Sequence, residues 1–395
     1  MPNKDINVLC LSLRTPPEIR PQAILIGKMV PEWVRQGVKP VIVSYGGEDW
    51  DIDLPRYRIP QRKHNRVFDR VPALRRSRDR KYLDRLMDFF GPIIKEHQIG
   101  LVFSFANPQF SNVIGAGVKK RFGVRFVANF SDPWYDSGYK PFSKRAADDV
   151  LRQETGVVEA ADRIVFVSEQ LRDMVMKKYP AAYKEKCRVI PHCYDPKDYP
   201  ADARRTDSDF IISYIGVFYK ERNPEILFKI LKKAISDDAA LASKLKIRLV
   251  GGANPYAGYT QEKIESLLEQ YGLKDRTEMI STVPFRESLR LMKSSDCLVT
   301  IDANFGTSPF LPSKVIDYAG SGKPVVGITP HGSTVSGFLD RLGERSFGYD
   351  EVAEAAAYLK DLINGKTSRK IDTAFLEQFH VRNTTAKLLG IFKEL

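Results

Sequence analysis

The sequence predicts an α/β protein of two Rossmann-like domains. Three observations point there. The chain opens strand, helix, strand: an apolar run at 6–13 (INVLCLSL), a helical pattern at 22–36 and a second apolar strand at 40–44. Unbroken apolar runs of this kind suit strands buried on both faces of a parallel sheet. After a stretch rich in Pro, Asp, Ala and Arg at 195–209, the same alternation restarts at 210. A length of 395 residues allows two domains, and 43% hydrophobic with 11% aromatic content supports packed cores. The expected domains are residues 1–200 and 201–378.

The first half reads as follows. A loop at 14–21 carries Arg14, Glu18 and Arg20, and either arginine can meet an anion or simply be solvated. The helix at 22–36 ends at Gly37. Residues 56–81 are the most unusual stretch: eleven Lys/Arg against two Asp is a net of +9, in a chain totalling +13. Tyr57, Ile59, Val67, Phe68, Val71 and Leu74 interleave with those charges. Apolar groups among cations suit an anionic membrane surface, where each basic residue contributes on the order of 1 kcal/mol. Nucleic acid favours a similar composition, and a solvated basic loop is the plainer reading. Arg75, Arg76, Arg78 and Arg80 are the candidates to meet membrane or acceptor. A helix at 82–96, a strand at 101–105, a helix from 107 to 122 and a strand at 125–129 follow. The last strand runs into FSDPWY at 130–135, beyond a strand's carboxyl end, where open α/β sheets hold their ligands. Asp132 is there either a functional carboxylate or a turn residue. A helix to 161 precedes a strand at 162–168, whose Ser168 can cap a helix at 169–178, and a short strand at 187–191 ends in the turn His192–Asp195.

The second half starts with a buried strand at 210–216. Its glycine-ended turn, 217–224, carries Lys220 and Arg222 ahead of a helix with Ile226, Leu227, Ile230 and Leu231 on one face. Strand 245–252, helix 260–271, strand 277–281, helix 287–293 and strand 295–301 come next. Then comes SPFLPSKVIDYAGSGKPVV at 308–326, which reads loop, helix, buried strand. Pro312 cannot donate a backbone hydrogen bond and suits a helix start. Ser313 can cap the first turn. The amides there, with the positive end of the helix dipole, form a natural phosphate site, and Lys314 adds a full charge. Asp317 lies one turn on, on Ser313's face, where a carboxylate can take two sugar hydroxyls. Further helical patterns fall at 352–362, 372–379 and 381–392.

The stretch at 308–326 resembles the nucleotide-sugar site of the GT-B glycosyltransferases, in particular the retaining enzymes of family 4. In that family a helix start holds the donor diphosphate, and an acidic residue seven positions before the proline of Gly-x-Pro-Val binds the ribose. Asp317 holds that position before Pro324. A second acidic residue eight positions earlier is common; here that place is Pro309, a departure, and Asp302 is the nearest upstream carboxylate. The resemblance further implies that Gly216, Lys220 and Arg222 meet the diphosphate, and that Val283 and Pro284 offer backbone contacts to the base. DPW at 132–134 resembles a turn on the acceptor side in one branch of the family, although Asn129 and Ser131 depart from it. Asp195 matches the family's Pro-Asn-Gly-x-Asp, whereas His192 and Cys193 replace Asn-Gly. The implied architecture is two domains facing a cleft, with a closing helix at 379–395 returning to the first.

The implied function is transfer of a sugar from a nucleotide sugar to a glycan or lipid-linked acceptor with retention, in cell-surface polysaccharide or glycolipid synthesis. Asp132, Arg222 and Lys314 are the catalytic candidates; Gly216, Lys220, Arg222, Val283, Pro312, Ser313, Lys314 and Asp317 are the donor-binding ones. Family members of this kind use no cofactor and need no metal. The alternatives are a GT-B nucleotide-sugar epimerase and a catalytically silent binding protein. Four scattered cysteines without a Cys-x-x-Cys pair fit a reduced, cytoplasmic protein, peripheral on the inner face of the plasma membrane if the basic stretch docks there. No apolar run approaches the roughly 20 residues that span a bilayer. The net charge of +13 favours anionic partners, and a nucleotide sugar or an anionic membrane fits better than nucleic acid.

Overall fold

The computed structural model describes residues 6–46, 49–62, 72–136, 143–201, 208–255, 258–306 and 308–395, without the side chains of 72–76. The chain divides into two compact units, Met1–Pro191 with Val381–Leu395, and His192–His380. Each is built on one parallel sheet, as the apolar runs predict.

The first unit contains β1 (Ile6–Leu11), α1 (Pro21–Arg35), β2 (Val38–Ser44), β3 (Arg56–Arg58), α2 (Pro72–Glu96), β4 (Leu101–Ser104), α3 (Phe110–Phe122), β5 (Arg125–Phe130), α4 (Lys144–Ala160), β6 (Arg163–Phe166), α5 (Glu169–Met176) and β7 (Cys187–Val189). Its strand order is β3-β2-β1-β4-β5-β6-β7, with every pair parallel and Ile6 level with Val38. The order reverses between β1 and β4, the kind of point beyond whose strand ends open α/β sheets hold their ligands.

The second unit contains β8 (Phe210–Ile215), α6 (Glu225–Ile235), α7 (Ala239–Lys244), β9 (Leu245–Val250), α8 (Gln261–Gln270), β10 (Thr277–Ile280), α9 (Phe285–Lys293), β11 (Cys297–Ile301), α10 (Ser313–Gly320), β12 (Val325–Ile328), α11 (Thr334–Leu342), β13 (Arg345–Phe347), α12 (Val352–Ile363) and α13 (Thr373–Glu377). Its strand order is β10-β9-β8-β11-β12-β13, again all parallel, with the reversal between β8 and β11. Ile212, Leu249, Val299 and Val326 from neighbouring strands bury in one core, which α6 and α12 cover together.

The last helix, α14 (Val381–Lys393), belongs to the first unit, where it packs on α1. Trp33 of α1 is fully buried, with Phe103, Phe105 and Phe392 rings at 5.4, 5.8 and 5.7 Å. The stretch after Pro191 goes with the second unit because its backbone is tied there: the Tyr194 amide donates to the Phe379 carbonyl at 3.0 Å. The division thus falls before the Pro- and Asp-rich stretch that the sequence reading takes as a linker.

Several expectations are corrected. α2 starts at Pro72, ten residues before the predicted 82, so Arg75–Lys81 are helical rather than loop. The short strand β3, the helices α7 and α11, and β13 are absent from the sequence reading. α11 carries a readable signature, since Ser333 caps it and Val335, Phe338, Leu339 and Leu342 bury at helical spacing. Its Thr, Ser and Gly content masks that spacing. At α10 the N-cap is Pro312, with no side-chain cap, and Ser313 is the first helical residue instead of the cap. Among the described residues no helix is long and apolar enough to cross a membrane.

Candidate active site

The reversal between β8 and β11 sets the site of the second unit, because the loops after both strands open there. β8 ends at Ile215, and Gly216 follows with φ of +145°, a backbone state that L side chains rarely adopt. A Cβ at Gly216 would sit 2.8 Å from the Lys314 Nζ. The glycine therefore opens the space in which the ammonium lies.

Lys314 reaches that space because α10 is pinned to the end of β8. The Tyr318 hydroxyl accepts from the Ile215 amide at 2.8 Å and donates to the Ile215 carbonyl at 3.0 Å. One turn earlier on the same helix, Lys314 Nζ donates to the Tyr214 hydroxyl at 3.2 Å and stands 4.2 Å above that ring. Tyr214 is itself fully buried, stacked on Phe218 at 4.4 Å, and donates to the Val217 carbonyl at 3.1 Å. The platform under the ammonium is thus rigid.

Arg222 joins the cluster from the turn after β8. Its amide donates to the Tyr219 carbonyl at 2.8 Å, its guanidinium lies 4.8 Å from the Tyr219 ring centre, and the residue is only 8% exposed. Burial, and then the charge of Arg222, push the Lys314 pKa well below the ordinary lysine range, while Asp302 opposes both. Lys314 keeps some exposed surface overall, so this burial concerns the end of the side chain. Asp302, at the end of β11, is fully buried: its carboxylate accepts from the Ala303 amide at 2.7 Å and the Thr329 hydroxyl at 3.2 Å. Burial raises its pKa, against the lowering effect of Arg222.

The predicted donor residues fall into two sets. Gly216, Arg222 and Lys314 come together, with Pro312 and Ser313 at the uncapped start of α10. Asp317 is buried one turn on, and its main-chain carbonyl accepts from the Tyr199 hydroxyl at 2.6 Å. Lys220 is exposed on its turn, and Val283 packs half-buried against a core that includes Ile215, Leu311 and Val315. The sequence reading misses Tyr214 and Tyr318. Their signal is a polar-tipped ring at the end of a buried strand and another on the buried face of a short helix.

In the first unit Asp132 follows β5. Its carboxylate accepts from the Asn107 side-chain amide and from the Ser131 hydroxyl, and Gln109 donates to its carbonyl at 3.3 Å. The loops after β4 and β5 are therefore tied together. Behind them the fully buried Glu154 accepts from the Tyr135 amide at 2.9 Å and pairs with Lys178 at 2.9 Å. Arg14 and Arg20 both pair with Glu18, at 3.1 and 3.7 Å. Asp195 caps a short turn, accepting from the Lys197 amide at 3.0 Å. Arg78 is half-buried and Arg80 exposed on α2, whereas the side chains of Arg75 and Arg76 lie outside the described residues, as do Val67 and Phe68.

Two family models match this chain in succession: Glycosyltransferase Family 4 over residues 22–198, and Glycosyl transferases group 1 over residues 196–370. The chain belongs to glycosyltransferase family 4. It is a retaining glycosyltransferase that takes its sugar from a nucleotide sugar. Solved structures agree on the GT-B-like fold. Anabaena HepE in complex with UDP and glucose aligns with a TM-score of 0.70 at 13% identity, over 99% of this chain and 100% of that one. Sucrose-phosphate synthase from Thermosynechococcus elongatus gives 0.68 at 16% identity, over 99% of both chains. WaaG, a glycosyltransferase involved in lipopolysaccharide biosynthesis, gives 0.61 at 13%, over 96% and 94%. No curated protein sequence gives a significant match.

Proposed function

We propose that this family 4 enzyme moves a hexose from a UDP-sugar to a glycan or lipid-linked acceptor in cell-surface polysaccharide or glycolipid synthesis, working at the inner face of the plasma membrane. The observation that carries the donor half is the pair of cations, Lys314 and Arg222, converging at the reversal of the second sheet beside the uncapped start of α10. Such a place suits two linked phosphates. The UDP in the similar HepE structure supports the choice of base. The net of +9 in residues 56–81 and the likeness to WaaG support a membrane-borne acceptor.

In the proposed reaction the bond between the sugar's anomeric carbon and the diphosphate oxygen breaks. A new bond forms from that carbon to the acceptor oxygen on the same face. The acceptor proton passes to the departing phosphate oxygen. Negative charge grows on the diphosphate as it leaves, and Lys314, Arg222 and the amides of the first turn of α10 neutralise it. Asp317 takes the ribose hydroxyls, and Asp132 receives the acceptor.

Calorimetric titration with UDP-glucose, followed by analysis of the products, tests this reading. Binding with slow release of glucose and UDP supports it. Failure of every nucleoside diphosphate to bind would overturn it. Conversion of donor alone to an equilibrium mixture of two nucleotide sugars would make the protein an epimerase instead.

A further inference from the structure

The first unit carries a second basic site that no step above uses, at the carboxyl end of β3. The chain leaves β3 through Ile59, whose amide donates to the Ser44 carbonyl at 2.7 Å. Pro60 follows, and its carbonyl accepts from the buried Tyr82 hydroxyl of α2 at 2.8 Å. Tyr82, Leu86 and Phe90 bury along one seam of α2, which fixes the helix's rotation. Arg78, Lys81 and Arg85 fall at i, i+3 and i+7 and so share a neighbouring face. Opposite them stands Arg62, whose guanidinium pairs with Asp79 at 3.0 Å and is thereby set in the wall. The result is a cavity of about 530 Å³ lined by Arg62, Arg78, Lys81, Asp84 and Arg85.

We propose that this cavity binds a phosphate or diphosphate group carried by the acceptor. The inference rests on the acceptor reading given under Proposed function. Among the described lining residues four cations face one carboxylate, and together with Asp79 these residues sum to +2. A terminal phosphate brings a charge of about −1.5 to −2 near neutral pH. Three of the cations are arginines, whose planar forks match phosphate oxygens two at a time. The volume lies within the range of small-ligand sites, roughly 300–1,000 Å³, and holds more than a bare phosphate. It sits on the sheet edge where folds of this kind place ligands, the same edge that carries Asp132. Among the described residues lining it none is aromatic, so these residues offer no stacking surface of the kind that single-stranded nucleic acid needs.

Equilibrium dialysis of the full chain with radiolabelled inorganic pyrophosphate, in the presence of saturating UDP, tests the site. The expected result is one pyrophosphate still bound per chain. The Lys81→Ser/Arg85→Ser variant should bind it roughly tenfold more weakly, since two exposed charged contacts are lost. Both residues are exposed on α2, and circular dichroism with thermal unfolding of the variant checks that it is folded. Complete displacement of pyrophosphate by UDP in the wild type would overturn the proposal. So would equal binding by the variant, or stronger competition by a single-stranded oligonucleotide than by unlabelled pyrophosphate. If UDP itself fails to bind, the donor reading falls, while the pyrophosphate measurement still decides this site. A second arm separates the sources. Co-sedimentation with vesicles of phosphatidic acid in phosphatidylcholine, reversed by pyrophosphate, supports a lipid-borne group. Pyrophosphate binding without co-sedimentation supports a soluble phosphorylated acceptor.

Discussion

Replacing Lys314 with alanine removes the amine at the centre of the proposed donor site. Its Nζ lies over the Tyr214 ring and within electrostatic reach of Arg222, and burial and that neighbouring charge lower its pKa. A diphosphate brings negative charge and draws the pKa back up. Between the depressed pKa of the free site and the raised pKa of the complex, binding takes up a proton. Affinity therefore falls as pH rises through that window, by up to about tenfold per pH unit. A charged hydrogen bond to phosphate is worth roughly 1.5–3 kcal/mol. Protonating the amine offsets about 1.4 kcal/mol of this for each pH unit above the free-site pKa. Lys314→Ala should thus lose an amount near the lower limit, about 1.5 kcal/mol or roughly tenfold in Kd for UDP. Calorimetry at one pH, in two buffers of different ionisation enthalpy, reads both effects. The wild type should show a buffer-dependent heat, and the variant should lose most of it along with the affinity. Unchanged affinity in the variant, or a buffer dependence identical in both proteins, would refute the reasoning.

Asp317→Asn should reduce the preference for UDP over 2'-deoxy-UDP, measured by competition; equal wild-type binding of the two nucleotides would dismiss the ribose contact. Asp132→Ala should lower the rate of sugar transfer more than the affinity for donor, and a parallel loss of both would point to a folding role for its ties to Asn107 and Ser131. Gly216→Ala should weaken UDP binding at least as much as Lys314→Ala, because its Cβ would lie 2.8 Å from Lys314 Nζ and its φ is +145°. Wild-type affinity in that variant would mean that Lys314 can hold phosphate from elsewhere.

Both sheets were legible because their strands are buried on both faces, which makes runs such as Phe210–Ile215 apolar without alternation. The pieces proposed to face phosphate were legible as local structure, since a glycine-ended strand and a Pro-Ser-Lys helix start use residue types dictated by backbone geometry and charge. Helix starts were not. Pro72 opens α2 inside a basic run, where the apolar spacing of Tyr82, Leu86 and Phe90 has not yet begun. β3 is three residues long, with two arginines, and holds its place by pairing with β2 at the sheet edge. The Tyr318 clamp escaped notice because its role depends on α10 lying against the end of β8. That is a tertiary relation between residues 103 positions apart.

Asp302 makes the departure at position 309 compatible with the proposed donor site. Proline there removes the carboxylate common in the family, yet a carboxylate remains in the cluster. Asp302 is buried at the end of β11, where Thr329 and the Ala303 amide hold it and where it interacts with both Arg222 and Lys314. Arg222 and Asp302 carry opposite charges and offset each other in their effect on Lys314. Burial discourages a second positive charge, so Lys314 is the group that adjusts. In the proposed donor reading, the charge of a diphosphate is met by a proton gained on Lys314 and by the first amides of α10, which Tyr318 ties to the end of β8. The charge of the site thus follows the charge of its ligand. The low-dielectric surroundings that penalise an unmatched ammonium also strengthen its attraction to the departing phosphate. On the proposed reading Tyr214 and Tyr318 belong to the donor site, though neither carries a formal charge: one supports the Lys314 amine and the other fixes the helix that supplies it.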